Sequence, residues 1–275
     1  YIDVEFFSFP DGTRHVKIGN VEDLTENICV EAQVNSSNDI MDILLLKEAL
    51  DYYVTSTASI FLFIPYMLGS RQDRRMVLGE PLSVKVYANM INSANFAEVA
   101  ILDPHSVAVS TVLDNVTVAR LDMFYDHIDV RDADNSVVIS PDAGALKRAT
   151  EFSKQKGIKT LFKADKTRNL DTGKIIDFEL YTDDYILEDK DVYIVDDICT
   201  NGGTFLGLLD KITDEFPETI NLVITHADNA EGLNRMAASF DKVYVTNSKQ
   251  DYIVDDNLPF TNSVKENVTV IDIFN

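Results

Sequence analysis

Cysteine, basic residues and long apolar runs are all scarce in this sequence, and each scarcity excludes something. Only two cysteines occur in 275 residues, Cys29 and Cys199. They offer no disulfide framework and no Cys-x-x-Cys spacing for zinc, so the expected setting is a reducing cytoplasm. Lys and Arg number 24 against 46 Asp and Glu, a formal net charge of −22. That balance speaks against a nucleic-acid partner, whose phosphates need a basic face. It also means that a phosphate-binding protein of this composition must gather its few cations locally or recruit Mg²⁺. No apolar run approaches the roughly 20 residues of a membrane-spanning helix, so no membrane partner is expected. No signal peptide is visible. The sequence starts at Tyr1 without a Met, and some residues are expected to be missing before it.

What is present is a large apolar fraction, 45%, with 15 Phe and 11 Tyr, ample for one large core or two modest ones. Apolar runs of strand length alternate with segments of helical periodicity, an α/β pattern with a mostly parallel sheet. Residues 59–65, SIFLFIP, and 136–140, SVVIS, are apolar throughout, as strands covered on both faces are. The alternation runs twice, which predicts two similar domains, 1–118 and 119–275.

The chain is organised around residues 191–205, DVYIVDDICTNGGTF. The run Val192–Val195 reads as a buried strand. Asp196 and Asp197 follow, then a small polar turn of Thr200, Asn201, Gly202, Gly203 and Thr204. From Phe205 the apolar residues recur at helical spacing. A strand, a glycine turn and a helix N-terminus form an anion site, because free N–H groups and the helix dipole both favour negative charge. Adjacent aspartates beside such a site repel an anion unless they bind something else: a sugar's cis-diol, or a divalent cation. Phosphate in the turn with a diol on the carboxylates describes a ribose 5-phosphate. The spacing is neither GxxxxGK[ST] nor GxGxxG.

Every other polar cluster also follows a strand, where crossover topology places ligands. After 59–65 comes YMLGSRQDRR, with Arg71, Arg74 and Arg75 within five residues. After strand 98–102 comes Asp103-Pro104-His105. After 136–140 comes Pro141-Asp142, and after 158–162 a basic stretch, Lys163–Lys174, expected as a loop and a mobile lid. Near the N-terminus, FPDGT over residues 9–13 is a turn between two strands.

These clusters together resemble ribose-phosphate pyrophosphokinase, the phosphoribosyl pyrophosphate (PRPP) synthetase family. The segment IPYMLGSRQDRRMVLGEPLSVKVYANMI resembles the family's "IPY…ARQDR…EPI.AK..AN" block, FPDGT its "FSDGE", LDPHS its "DLHA", and ISPDAGALKRA its "SPD.GG..RA". The late Thr-His and VTNS also have counterparts, in the same order. The resemblance implies two phosphoribosyltransferase-like domains and transfer of the ATP β,γ-diphosphoryl group to the C1 hydroxyl of ribose 5-phosphate, with Mg²⁺ as cofactor. It implies ATP contacts from Arg71, Gln72, Asp73 and His105, and from Phe9 and Asp11 supplied by a neighbouring subunit, hence a homo-oligomer. It implies Mg²⁺ contacts from His105 and Asp142, and ribose-phosphate contacts from Asp196, Asp197 and Thr200–Thr204. The catalytic lid residues it implies are Lys166 and Arg168, with Lys163 as the competing position.

The chain departs from the family pattern at four places. Thr200 stands where "DDIIDTAGT" has a third acid, Thr13 where "FSDGE" has Glu, the basic lid is differently spaced, and the family's first strand and helix are expected to be missing or truncated before Tyr1. Losing the acid and gaining Gly202 would admit a larger group at the ribose 5-position. Three further readings therefore stay open: an ADP-ribose pyrophosphokinase in NAD salvage, a non-catalytic regulatory paralogue, and a phosphoribosyltransferase.

Overall fold

A computed structural model gives the fold and describes residues 2–24, 26–54, 58–168, 175–182, 186–255 and 262–274, with the side chains of 166–168 and 175–178 outside the description. The chain divides into two compact units, Tyr1–Arg120 and Leu121–Asn275.

The first unit opens with a hairpin of β1 (Val4–Ser8) and β2 (Arg14–Ile18). Its turn is closed by Asp11, whose Oδ1 accepts the Thr13 N–H at 2.9 Å, and Gly12 takes the positive φ of 88° that the turn requires. Then follow β3 (Asn27–Glu31), α1 (Ser37–Tyr53), β4 (Ser59–Phe63), α2 (Ser83–Ser93), β5 (Glu98–Leu102), α3 (Val107–Val112) and β6 (Val116–Ala119). Strands β3, β4, β5 and β6 form one parallel sheet in that order. Helix α1 buries Ile40, Ile43, Leu46 and Leu50 at helical spacing. Asp39 Oδ2 reaches back to accept the N–H groups of Asn35 and Ser36, both at 2.8 Å, so the cap is Ser36. The hairpin is tied to α1 by a two-pronged Arg14–Asp42 pair, both contacts 2.7 Å.

The second unit contains α4 (Asp122–Asp126), β7 (Ser136–Ser140), α5 (Leu146–Lys156), β8 (Thr160–Arg168), β9 (Ile175–Tyr181), β10 (Asp191–Cys199), α6 (Gly203–Thr213), β11 (Thr219–Ala227), α7 (Ala230–Ala237), β12 (Lys242–Thr246), β13 (Ile253–Val254), β14 (Ser263–Val264) and β15 (Val268–Ile271). Its main sheet has the order β15-β12-β11-β10-β7-β8-β9, parallel except for the antiparallel β8–β9 edge. Apolar layers cover both faces. Val137, Ile139 and Ile194 join Phe205, Leu208 and Met236 on one side, and Val138, Tyr193 and Val195 join Phe124, Tyr125 and Phe152 on the other. That two-sided burial is why SVVIS lacks polar alternation.

The basic stretch from Lys163 corrects the expectation of a loop. Residues 163–168 continue β8 and pair with β9, Lys163 opposite Tyr181 and Arg168 opposite Ile175. An edge strand is held by backbone hydrogen bonds to one neighbour and needs no apolar run, so polar residues are compatible with it. The remainder of the expected lid, 169–174, lies outside the described residues.

Candidate functional site

In the second unit the strand order turns back on itself between β7 and β10: β8 and β9 are added on one side, β11, β12 and β15 on the other. The crevice beyond the C-terminal ends of two such strands is the ligand position of open α/β sheets. Here β7 delivers Asp142 and β10 delivers Asp196 and Asp197. Both aspartates of β10 meet one cation that the sequence alone does not place. Arg148, on α5 and 8% exposed, points Nη1 at Asp196 Oδ1 (3.2 Å) and Asp197 Oδ1 (3.3 Å). Burial pushes the Asp196 carboxyl well above the usual range, the neighbouring Asp197 charge adds to this, and Arg148 opposes it. A carboxylate so placed gains from hydroxyl donors that stabilise its charged form.

The turn after β10 ends in α6 with an N-terminus that no side chain caps; its N-cap is Gly202 at φ 72°. The first N–H groups of a helix have no intrahelical partner, so this end offers donors to an anion. A Cβ placed on Gly203 meets nothing within 4 Å, so the space beside this helix start is open. A Cβ on Gly202 runs into the Met236 methyl group instead. The space that a Cβ on Gly202 would take is thus filled by Met236, a buried side chain of α7.

Helix α7 supports the turn at three successive points. A Cβ on Gly232 has no room against the Thr200 carbonyl oxygen, Arg235 Nη1 donates to the Asn201 carbonyl at 3.3 Å, and Met236 fills the hollow at Gly202. From the β11 side, the Asp228 N–H donates to the Cys199 carbonyl at 2.9 Å and Asp228 Oδ2 accepts the Thr200 hydroxyl. Lys249, 7% exposed, places Nζ 3.1 Å from Asp228 Oδ1. His226, buried at the end of β11, lies 2.7 Å through Nδ1 from the Ser248 hydroxyl. Arg148 and His226 are visible in the sequence only as residues of a helix and a strand end. Asp228, Gly232, Arg235, Met236 and Lys249 carry no local signal, because their contacts join residues distant along the chain.

Asp142 sits at the start of α5, its Oδ1 accepting the Ala145 N–H at 3.0 Å, and its charge also acts on Asp196. Lys163 lies beside the end of β7, opposite Ser140, and pairs with Asp165 at 2.7 Å. Lys166 and Arg168 are on β8; their side chains lie outside the described residues.

In the first unit, Arg71, Gln72, Asp73, Arg74, Met76, Glu80, Pro81, Ser83 and His105 line one cavity of 360 Å³. Four expected residues, Arg71, Gln72, Asp73 and His105, are thus brought together from the ends of β4 and β5. The loop is shaped locally. Gly69 takes φ 78° against α2, and Glu80 Oε2 accepts the Met76 and Val77 N–H groups at 2.9 and 3.2 Å. Among the described residues, the buried side-chain atoms without a partner are the hydroxyls of Ser70 and Ser106, next to Arg71 and His105. Such orphans cluster where a polar ligand is awaited. A larger cavity, 440 Å³, lies at the opposite, N-terminal ends of β5 and β6, lined by Asn92, Asn95, Asp114 and Asn115. Crossover topology does not put ligands there.

Phe9 and Asp11 are not in the cavity lining. They stand exposed on the hairpin turn, where the rings of Phe7, Phe9 and His15 cluster at 5.3–5.5 Å. The Thr13 N–H holds the Asp11 carboxyl below the usual range. Among the described residues, no three His, Cys, Asp or Glu side chains converge as a metal cage. That donor set fits a hard cation carried in with phosphate ligands, which needs only one or two carboxylates from the protein. It does not fit a resident zinc or calcium site.

Parallel sheets with polar loops at their C-terminal ends and an Asp-Asp–turn–helix segment after β10 make a phosphoribosyltransferase-like fold. Residues 1–94 match the family described as the N-terminal domain of ribose phosphate pyrophosphokinase. The chain is 28% identical over 246 residues to the ribose-phosphate pyrophosphokinase of Campylobacter jejuni, covering 87% of this chain and 77% of the relative. It is 28% identical over 253 residues to that of Thermococcus kodakarensis, 90% and 86% covered. The phosphoribosylpyrophosphate synthetase of Mycobacterium smegmatis superposes with a TM-score of 0.77 at 20% identity, covering 99% of this chain and 86% of that one. The chain is thus similar to ribose-phosphate pyrophosphokinases in sequence and to a phosphoribosylpyrophosphate synthetase in fold.

Proposed function

We propose that this chain is a diphosphotransferase that moves the β,γ-diphosphoryl group of ATP to the C1 hydroxyl of ribose 5-phosphate. The observation that carries the reading is the uncapped, open N-terminus of α6 directly following the Arg148-bound Asp196–Asp197 pair. The helix end takes the 5-phosphate, and the two carboxylates accept hydrogen bonds from the ribose diol. Arg71, Gln72, Asp73 and His105 bind ATP in the first unit. In an oligomer, Phe9 and Asp11 reach the adenine side of a neighbour's ATP.

The C1 hydroxyl oxygen forms a bond to the β-phosphorus. The bond from that phosphorus to the oxygen bridging the α-phosphate breaks, AMP leaves with that oxygen, and the hydroxyl proton passes to solvent. The protein's part is alignment and charge compensation. Lys163, Lys166 and Arg168 are the residues assigned to the transferring group. Asp142, with His105 as the less suited nitrogen donor, would hold Mg²⁺, which when bound with ATP offsets phosphate charge. The Mg²⁺ requirement, the cytoplasmic setting and the inter-subunit sites belong to this proposal.

Ribose 5-phosphate is favoured over ADP-ribose because the hollow at Gly202 is filled by Met236 and the Thr200 hydroxyl is turned to Asp228. The test is to incubate the chain with ATP, Mg²⁺ and either acceptor, and to follow AMP and product mass. Release of AMP with ribose 5-phosphate and formation of its 1-diphosphate is the expected result. Turnover of ADP-ribose alone moves the assignment to that acceptor. No AMP with either overturns the diphosphotransferase reading and leaves the regulatory paralogue and the phosphoribosyltransferase.

A further inference from the structure

Among the described residues, an ion pair between buried Lys249 and partly exposed Asp228 touches the turn after β10 and has no role in the chemistry above. Lys249 follows β12 and is 7% exposed; its Nζ lies 3.1 Å from Asp228 Oδ1. The other oxygen of Asp228 accepts the Thr200 hydroxyl hydrogen, and its backbone N–H is joined to the residue before Thr200. Asp228 is therefore fixed against the first residue of the turn by both main chain and side chain.

This arrangement has two electrostatic consequences. A hydroxyl carries one hydrogen. With that hydrogen on Asp228, Thr200 has none left for a phosphate, so its hydroxyl is a strut and not an anion ligand. In addition, Asp228 puts a negative charge beside a site meant for a dianion, in surroundings that screen weakly. In a chain of net charge −22, that repulsion would add to an already unfavourable field. Lys249 cancels it from behind, where it is too buried to reach solvent.

We infer that Lys249 and Asp228 are positioning residues for the ribose-phosphate site: Asp228 sets the Thr200 side chain and with it the turn, and Lys249 neutralises Asp228 so that the helix end stays attractive to phosphate. This rests on the acceptor-site reading given above. It goes further in assigning acceptor affinity, and not ATP affinity, to a pair outside the turn.

The two charges give opposite signs when removed singly, which a purely structural role does not. Lys249→Met removes the Lys249 charge from beside Asp228 and should weaken ribose 5-phosphate about tenfold, one charge-assisted contact, with the KM for ATP unchanged. Asp228→Asn removes the repulsion and should leave the affinity equal or tighter. The double variant Asp228→Asn/Lys249→Met should return close to wild type, and Lys249→Arg should retain wild-type affinity. Calorimetric titration with ribose 5-phosphate and steady-state KM values for both substrates give the readouts, and the double variant guards against loss of folding in Lys249→Met. Equal weakening in all three Asp228 and Lys249 removals, or a Lys249→Met chain that binds ribose 5-phosphate as wild type does, overturns the inference alone. A wild-type chain that binds no ribose 5-phosphate overturns the acceptor site itself, and this inference with it.

Discussion

The Cα of Gly232 faces the carbonyl oxygen of Thr200 so closely that no Cβ fits between them. Helix α7 thereby touches the backbone of the phosphate turn without an intervening side chain. Gly232→Ala must push either the helix or the turn away. Overpacking of this kind costs about 1–3 kcal/mol, and the strain falls on the ligand loop. The expected outcome is a lower Tm together with a raised KM for ribose 5-phosphate, while the KM for ATP holds.

Gly202 and Gly203 are neighbours with opposite expected behaviour. Gly202→Ala meets both a left-handed backbone, φ 72°, and the Met236 methyl. It should lower the Tm by several degrees, taking about 1–2 kcal/mol for the strained backbone. Gly203→Ala meets no protein atom and should leave the Tm unchanged or slightly higher. Its methyl enters the space beside the helix end, so ribose 5-phosphate binding should weaken. Thermal melts paired with acceptor titrations separate the two.

Arg148 is the compensating charge for two buried carboxylates. Arg148→Met keeps the length of the side chain and removes the cation. Breaking a buried ion pair by deleting one partner costs about 3–5 kcal/mol. The loss should be largest at neutral pH and smaller near pH 4, where protonation of Asp196, whose pKa burial raises, relieves the repulsion. Denaturant melts at the two pH values give the comparison.

Asp196 gives a pH dependence of determined sign. Its folded-state pKa is raised, chiefly by burial. Between the ordinary value near 3.8 and the raised value, the folded state binds more protons than the unfolded state. Stability therefore falls as pH rises through that window, and the charged form is a liability above it. Asp196→Asn should raise the Tm at pH 7, the gain fading as pH falls through that window and gone below about 4, while acceptor binding is lost. An equal Tm for the two proteins at pH 7 would contradict the assignment.

Much of this fold is written locally. SVVIS and DVYIV read as strands because both faces of β7 and β10 are covered. The ligand clusters are legible because parallel strands deliver polar residues at one end. What escapes is whatever depends on distant partners. Residues 163–168 look like loop because an edge strand needs no apolar code. The acid missing at Thr200 reads as a loss, yet β11 brings Asp228 to the same hydroxyl. Gly202 looks like added room until α7 is folded against it. The Arg148 pairing with Asp196 and Asp197 spans 48 and 49 residues, beyond any motif window.

The placement of Cys199 has a use of its own. Burial, followed by the charge of Asp228, pushes its thiol up to about 12, and it is 1% exposed at the base of the turn. Because the thiolate is the reactive form, this sulfur meets an alkylating reagent only when the turn lifts away from α7. Cys29, on the surface, reacts without such an event. A wild-type sample thus carries its own reference and its own reporter: the slower of two labelling phases counts excursions of the phosphate turn, and ribose 5-phosphate should lengthen it.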